Sequence, residues 1–272
     1  MLIIKASGEK VRFNRQQYVN TLKRVGLSPA EASEVASNIN QDLYPEISTD
    51  QIYRKTHLAL KKKDRVLAAK YSLKRALMQL GPGGFYFERY MAAVLEAYGY
   101  QTRYNQFVRG KCTEHEVDII AERQKKKYMI ECKFHIAAGR KSDIKVALYV
   151  YARFLDLKDR HNFVEPVLIT NTQFTSEAVR YASCMGVRVI GWHYPLGRES
   201  LEYYIESKKL YPVTVLTSLN GYLSQKFREA NIVLVADLLK FTPKSLAQRF
   251  RVNEGLAGRL ISEAGRLTEP GA

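Results

Sequence analysis

The spacing of apolar residues changes character twice along the chain, and each change marks a segment. In residues 1–82, short apolar runs at 2–4 and 11–13 flank Ser7-Gly8, the pattern of a hairpin. Helical spacing follows, with clear start signals. Asn14 precedes a run carrying Tyr18, Leu22 and Val25. Ser28-Pro29-Ala30-Glu31 joins a capping box to a proline at the first helical position. Ser48-Thr49-Asp50-Gln51 forms a second box ahead of Ile52, Thr56 and Ala59. A last helix is predicted over about residues 65–80, stopped by Gly81-Pro82.

Residues 83–207 have a different rhythm. A helix is predicted over 85–98, ending at Gly99, followed by strand-like runs at 100–107, 116–121 and 128–134. The last two are separated by the polar stretch 122–127, a hairpin turn. Helix 144–157, strand 167–170, helix 176–185 and strand 187–192 then alternate, which implies an α/β layer with a mixed sheet. Residues 208–272 read as short helices, with Thr242-Pro243 opening one and Asn253 capping another that ends near Leu267. No internal repeat is evident. The predicted fold class is multidomain α/β: a helical N-terminal domain (1–82), a central mixed-sheet core (83–207) and a small helical C-terminal domain (208–272).

Composition narrows the setting. A hydrophobic content of 46% and the lack of low-complexity tracts mark a folded protein, and no apolar run reaches the ~18 residues of a membrane span. Residues 1–8 carry no basic lead and apolar core of a signal type, and three scattered cysteines offer no disulfide framework, so a reducing cytoplasm is expected. The formal charge of +16 changes the picture more, because such a field attracts polyanions and favours DNA or RNA as partner.

Candidate chemistry lies on the two central strands. Alternation puts Glu131 and Lys133 on one face, with Ile130, Cys132 and Phe134 on the other. The hairpin lets Asp118, embedded among β-branched residues, sit beside Glu131. Two carboxylates on a largely buried sheet repel each other and lose hydration, and one lysine offsets only part of that. A divalent cation would neutralise both, and oxygen-only ligands completed by water and phosphate suit Mg²⁺, or Mn²⁺ in its place. Such an ion polarises a phosphodiester and acidifies an attacking water, while Lys133 orients that water or stabilises the pentavalent phosphate. The plainer alternative is a pair of half-exposed strands with ordinary surface charges. Alternation also puts Glu116 on the face of Asp118, and His115 and His135 stand at the strand ends. Lys141 and Lys145 are placed at the start of the next helix as candidate DNA-phosphate contacts. Lys145 is the better placed, because Val146, Tyr149 and Val150 turn that helix towards the sheet, while a solvated helix face suits Lys141 better.

These residues resemble the PD-(D/E)xK nuclease superfamily, specifically its Mrr-like restriction endonuclease branch, over most of residues 84–197. Phe87-Glu88, Asp118 thirteen residues before Glu131, Glu131-Cys132-Lys133, and the segments 168–175 and 186–192 carry the likeness. The acid spacing is also similar to archaeal Holliday-junction resolvases. The resemblance implies a restriction-endonuclease-like core with Asp118 and Glu131 as metal ligands, the Cys132 carbonyl as a third, Lys133 catalytic and Glu88 an accessory acid. Val117 stands where the name of the superfamily has proline.

The flanking segments carry further likenesses. Residues 3–8 and 11–14, with 47–52 and 68–74, resemble an ATP-cone, a nucleotide-sensing module. That implies ATP or dATP as effector, with Lys5, Gly8 and Asn14, and further His57 or Lys74, as contacts. Ala6 and Gln17 stand where these modules usually carry basic residues. A cone reduced to a dimerisation or DNA-docking surface is the alternative. Residues 232–239 and 257–261 are reminiscent of helix-hairpin-helix or SAM-like units, beside which a plain helical dimer cap stands equally. The reading is a Mg²⁺-dependent DNA endonuclease, nucleotide-controlled and expected to act as a homo-oligomer. Its rivals are a nucleotide-responsive DNA-binding regulator without turnover, and an RNA nuclease.

Overall fold

The computed structural model describes residues 1–269 apart from Ala6, Pro82 and Ala138. Ala6 of the cone-like stretch and Pro82 of the helix stop therefore lie outside the described residues.

Strands β1 (Leu2–Ile4) and β2 (Lys10–Arg12) pair antiparallel, with Gly8 at φ +83° in the turn. Four helices follow: α1 (Arg15–Arg24), α2 (Pro29–Gln41), α3 (Thr49–Lys63) and α4 (Arg65–Met78). Their starts are set by side chains that satisfy otherwise orphaned N–H groups. Asn14 accepts from the Gln17 N–H at 2.9 Å, and complete capping boxes form at Ser28/Glu31 and Ser48/Gln51. Leu22, Ala32, Ile47, Leu60 and Ala68 close a core of their own beneath the hairpin.

The central layer is a five-stranded sheet in the order β3-β4-β5-β7-β9. Its members are β3 (Gln101–Arg109), β4 (Glu114–Arg123), β5 (Lys126–Lys133), β7 (Phe163–Thr170) and β9 (Arg188–Ile190). The first three run antiparallel, and β7 and β9 join in parallel. Helix α5 (Phe85–Ala97) covers one face; α6 (Ile144–His161) and α7 (Ser176–Met185) cover the other. The two-residue strands β6 (Lys141–Ser142) and β8 (Gln173–Phe174) pair beside them, and α8 (Leu201–Ser207) leads onward. Lys141 thus lies in β6, ahead of the helix cap Asp143, and not on the helix as expected. The polar stretch 122–127 is mostly strand. Only Gln124 and Lys125 turn, both left-handed (φ +52° and +61°), the geometry of a two-residue primed turn.

The C-terminal part holds a 3₁₀ turn at Val213–Val215, α9 (Gly221–Glu229), a second 3₁₀ turn at Val235–Lys240, α10 (Pro243–Phe250) and α11 (Glu254–Thr268). A near-repeat emerges here that the sequence alone did not disclose. Each 3₁₀ turn leads into a helix, and the two are joined about a bridge between Pro212 and Leu234. Leu223 and Phe227 of α9 match Leu246 and Phe250 of α10, and the two phenylalanine rings meet edge to face at 4.9 Å.

One apolar core runs through all three segments. Leu73 and Leu77 of α4, Phe87 and Tyr90 of α5, Ile119 and Ile130 of the sheet, and Phe227 and Leu260 of the C-terminal helices belong to it. Thr214 donates to the Ala76 carbonyl, and Tyr90 to that of Leu210, each at 2.7 Å. No described helix is long and apolar enough to cross a membrane.

Candidate active site

The site grows out of a break in the sheet. Strands β4 and β5 pair from Arg123/Lys126 to Ile119/Ile130, and the ladder stops there. The next step in register would set Asp118 opposite Glu131. Instead the Cys132 N–H, released from the ladder, donates to Asp118 Oδ2 at 2.7 Å. On the other side of β4, Asn105 of β3 takes φ +53° opposite Asp118, and the register skips that pair. Side-chain alternation inverts at this point. Ile119 and Ala121 pack with α5, yet Val117 packs with the α6 face alongside Ile120. The simple alternation that placed Glu116 with Asp118 is therefore broken.

Strand β5 keeps its alternation. Ile130 and Cys132 face α5, while Met129, and with it Glu131, faces α6. From α6, Arg153 Nη1 donates to Glu131 Oε2 at 2.5 Å, in a pair whose side chains are 8% and 16% exposed. Lys133 is exposed at the end of β5, where its carbonyl accepts from the buried Thr170 hydroxyl at 2.8 Å. Glu88 sits in the first turn of α5.

The acids feel one another. Burial, then the charges of Asp118, Glu116 and Glu131, push Glu88 up to about 7. Glu131 is likewise pushed up to about 7 by burial and by Asp118, with Arg153 and Lys133 pulling the other way. Burial raises Asp118 as well, opposed first by the Cys132 N–H and then by Arg153. Glu88, Asp118 and Glu131 each disfavour their own charge, and a cation beside the adjacent pair Asp118 and Glu131 would relieve theirs.

A metal ion fits this donor set in a limited way. Among the described residues, no group of three or more His, Cys, Asp or Glu side chains is placed to hold a metal ion. The oxygens suit a hydrated Mg²⁺ held by one or two carboxylates, with substrate phosphate completing the shell. His115 and His135 take no part. The first bonds Asp156 at 2.8 Å and the second Ser142 at 3.0 Å.

A restriction endonuclease family model matches residues 83–195, and an AF1548-like C-terminal model matches residues 211–268. An uncharacterized protein of Archaeoglobus fulgidus is 39% identical over 180 residues, which is 65% of this chain and 99% of that relative. The chain belongs to the AF1548-like family. The crystal structure of AF1548, described as a protein of unknown function, superposes with a TM-score of 0.59 at 36% identity, over 68% of this chain and 98% of that one. Can2 from Sulfobacillus thermosulfidooxidans, solved with cyclic tetra-adenylate, reaches a TM-score of only 0.33 at 17% identity, covering 39% of this chain and 31% of Can2, too slight a likeness to argue from. Residues 83–195 of this AF1548-like protein are thus a restriction endonuclease domain.

Two features of the domain escape sequence reading. Arg153 is one; only its place on the inward side of an amphipathic helix hints at it. The other is Asn171, fully buried, whose side chain donates to the His135 carbonyl and accepts the His135 N–H, both at 2.8 Å. It clamps the chain leaving Lys133. Lys141 and Lys145 are both exposed, one on β6 and the other in the first turn of α6.

Lys5 and Asn14 come together in the N-terminal part. They line a cavity of about 310 Å³ with Gln17, Tyr18, Tyr53 and Tyr71, while Gly8 is not among its lining residues. The Lys5 amine pairs with Glu9 at 2.9 Å, and the Asn14 side chain is engaged as the α1 cap. A second cavity, of about 600 Å³, lies between Ser7, Arg75 and Gln79 on one side and Ile136, Ala137 and Arg140 on the other.

Proposed function

We propose that this AF1548-like protein is a Mg²⁺-dependent DNA endonuclease whose active site is Asp118, Glu131 and Lys133, with Glu88 accessory. The observation that carries the reading is the placing of Asp118 beside Glu131 where β4 and β5 part, with burial disfavouring the charge of each. Asp118 and Glu131 would be the ligands for the ion, and the Cys132 carbonyl would be a third. When bound, Mg²⁺, or Mn²⁺ in its place, supplies Lewis-acid polarisation of the phosphate and a more acidic water. The rest falls to this chain's own residues. Lys133 carries its ammonium into solvent at the end of β5, where it can hold the attacking water or the charge that builds on phosphate. Glu88, with a pKa near neutrality, can hold or release a proton at the same place. Lys145 and Lys141 flank the approach as phosphate contacts. In solution, nicking of supercoiled plasmid with Mg²⁺ and none with EDTA is the expected result. Tight binding of DNA without any cutting would favour the regulator that lacks turnover. Preference for RNA in a competition assay would change the substrate class.

A second reading, control by ATP or dATP, rests on the cone resemblance and on the cavity between the N-terminal turn and the loop after Lys133. A ligand in that cavity would touch both the hairpin turn at Ser7 and the segment that follows Lys133. A shift in melting temperature or oligomer size on adding either nucleotide is expected. No shift in either would sink it.

A further inference from the structure

We infer that Arg153 is a positioning residue that sets the orientation of Glu131 for a cation; the inference rests on the metal-dependent nuclease reading of the same site. Of the lysine and arginine ion pairs among the described residues, Arg153–Glu131 is the most buried, at 8% and 16% side-chain exposure. Such pairs seldom add net stability, because desolvating both ions offsets their attraction. Something other than stability is therefore the more economical reason for it.

The geometry points to orientation. Arg153 Nη1 binds only Glu131 Oε2, and Nη2 donates instead to the Tyr149 hydroxyl at 2.5 Å. The guanidinium lies 4.5 Å from the centroid of the Tyr149 ring, so its plane is held from a second direction. Its Nε is buried with no partner, so the head group is not placed to maximise its own hydrogen bonds. Across the hairpin, Asp118 shows a matching arrangement. Its Oδ2 is committed to the Cys132 N–H, and among the described residues no protein donor reaches Oδ1, just as none reaches Glu131 Oε1. Each acid thus has one oxygen tied down and one left over, which is what an ion drawing one oxygen from each of two carboxylates requires. Outer groups that orient ligands in this way typically set metal affinity by 10- to 100-fold, on the order seen across metal sites.

Charge and orientation make opposite demands, which renders the proposal testable. A cation beside a metal ligand weakens metal binding by repulsion, so removing it should tighten binding if charge were all that mattered. The experiment is titration of the full-length protein with Mn²⁺ alone, reading free ion by electron paramagnetic resonance, with melting temperature measured in parallel. Arg153→Met is expected to weaken Mn²⁺ binding about 10- to 100-fold. Arg153→Lys keeps the charge without the two-armed bridge, and should recover only part of that loss. Tyr149→Phe, at an exposed position, should fold normally and weaken Mn²⁺ binding roughly two- to tenfold. Equal or tighter Mn²⁺ binding by a folded Arg153→Met protein would overturn the proposal and leave the metal site standing. If that variant fails to fold, unchanged binding by Tyr149→Phe overturns it. Failure of the unaltered protein to bind Mn²⁺ would remove the metal-site reading itself, and this inference with it.

Discussion

Glu88, Asp118 and Glu131 are acids held where their charged forms are disfavoured, and this has a thermodynamic signature. An acid whose folded pKa exceeds its unfolded value binds its proton more tightly in the folded state. The contribution of Glu88 and Glu131 is therefore full below their ordinary value of 4.5 and is lost as pH rises through about 7. With EDTA present, the melting temperature should fall between about pH 5 and pH 8, and Glu88→Gln should flatten part of that fall. Mg²⁺ should restore more at the alkaline end, since it replaces the missing protons. A profile flat in pH would contradict the burial that, with the neighbouring acids, raises Glu88 and Glu131. Asn171 supports the same site mechanically. Asn171→Ala leaves two backbone groups of His135 without partners and should cost about 2 kcal/mol or more in chemical denaturation. Asp118, Glu131 and Lys133 were legible in the sequence because a hairpin and a contiguous Glu-x-Lys bring them together locally. Arg153 was not, because an arginine on a helix 22 residues after Glu131 looks like any solvated charge until the helix is docked.

At the scale of elements, start signals and strand runs translated directly into structure wherever local chemistry decides. Asn14, Ser28 and Ser48 cap their helices because their side chains bond N–H groups a few residues on. Legibility failed where a neighbour decides. The inversion of alternation at Asp118 depends on the left-handed Asn105 across the ladder, which no periodicity within β4 reveals. β6 and β8 are too short to leave a pattern, so the sequence alone assigns Lys141 to the helix that follows. The repeat linking α9 to α10 rests on a few apolar positions and on pairing about Pro212 and Leu234, so it shows only once folded. The β4–β5 turn supports a prediction at this scale. Lys125 holds φ +61° without glycine's freedom, at a cost of about 1 kcal/mol. Lys125→Gly should raise stability by roughly that amount, and Lys125→Val should lower it, as read from denaturant midpoints. The opposite order would mean the turn is not left-handed.

For the whole molecule, the proposed function assigns recognition to the formal charge of +16 and chemistry to the restriction endonuclease domain. Charge supplies affinity without choosing a bond to break, so DNA binding should weaken steeply with salt. If about six phosphates are neutralised, affinity falls about a thousandfold between about 50 and 200 mM salt. A slope near zero would mean the basic surface is not the docking face. The shared core makes the three segments one mechanical body, since α4 packs on the helices beyond residue 211 as well as on its own segment. The three sequence rhythms were visible along the chain, but this continuity was not, because the joining contacts are far apart in sequence. Removing the chemistry without disturbing the charge-driven binding tests the division most directly. Lys133→Ala, compared with the unaltered protein on supercoiled plasmid in Mg²⁺, should lose cleavage while its DNA affinity stays within about twofold. Normal cutting by that variant would contradict the assignment of the active site.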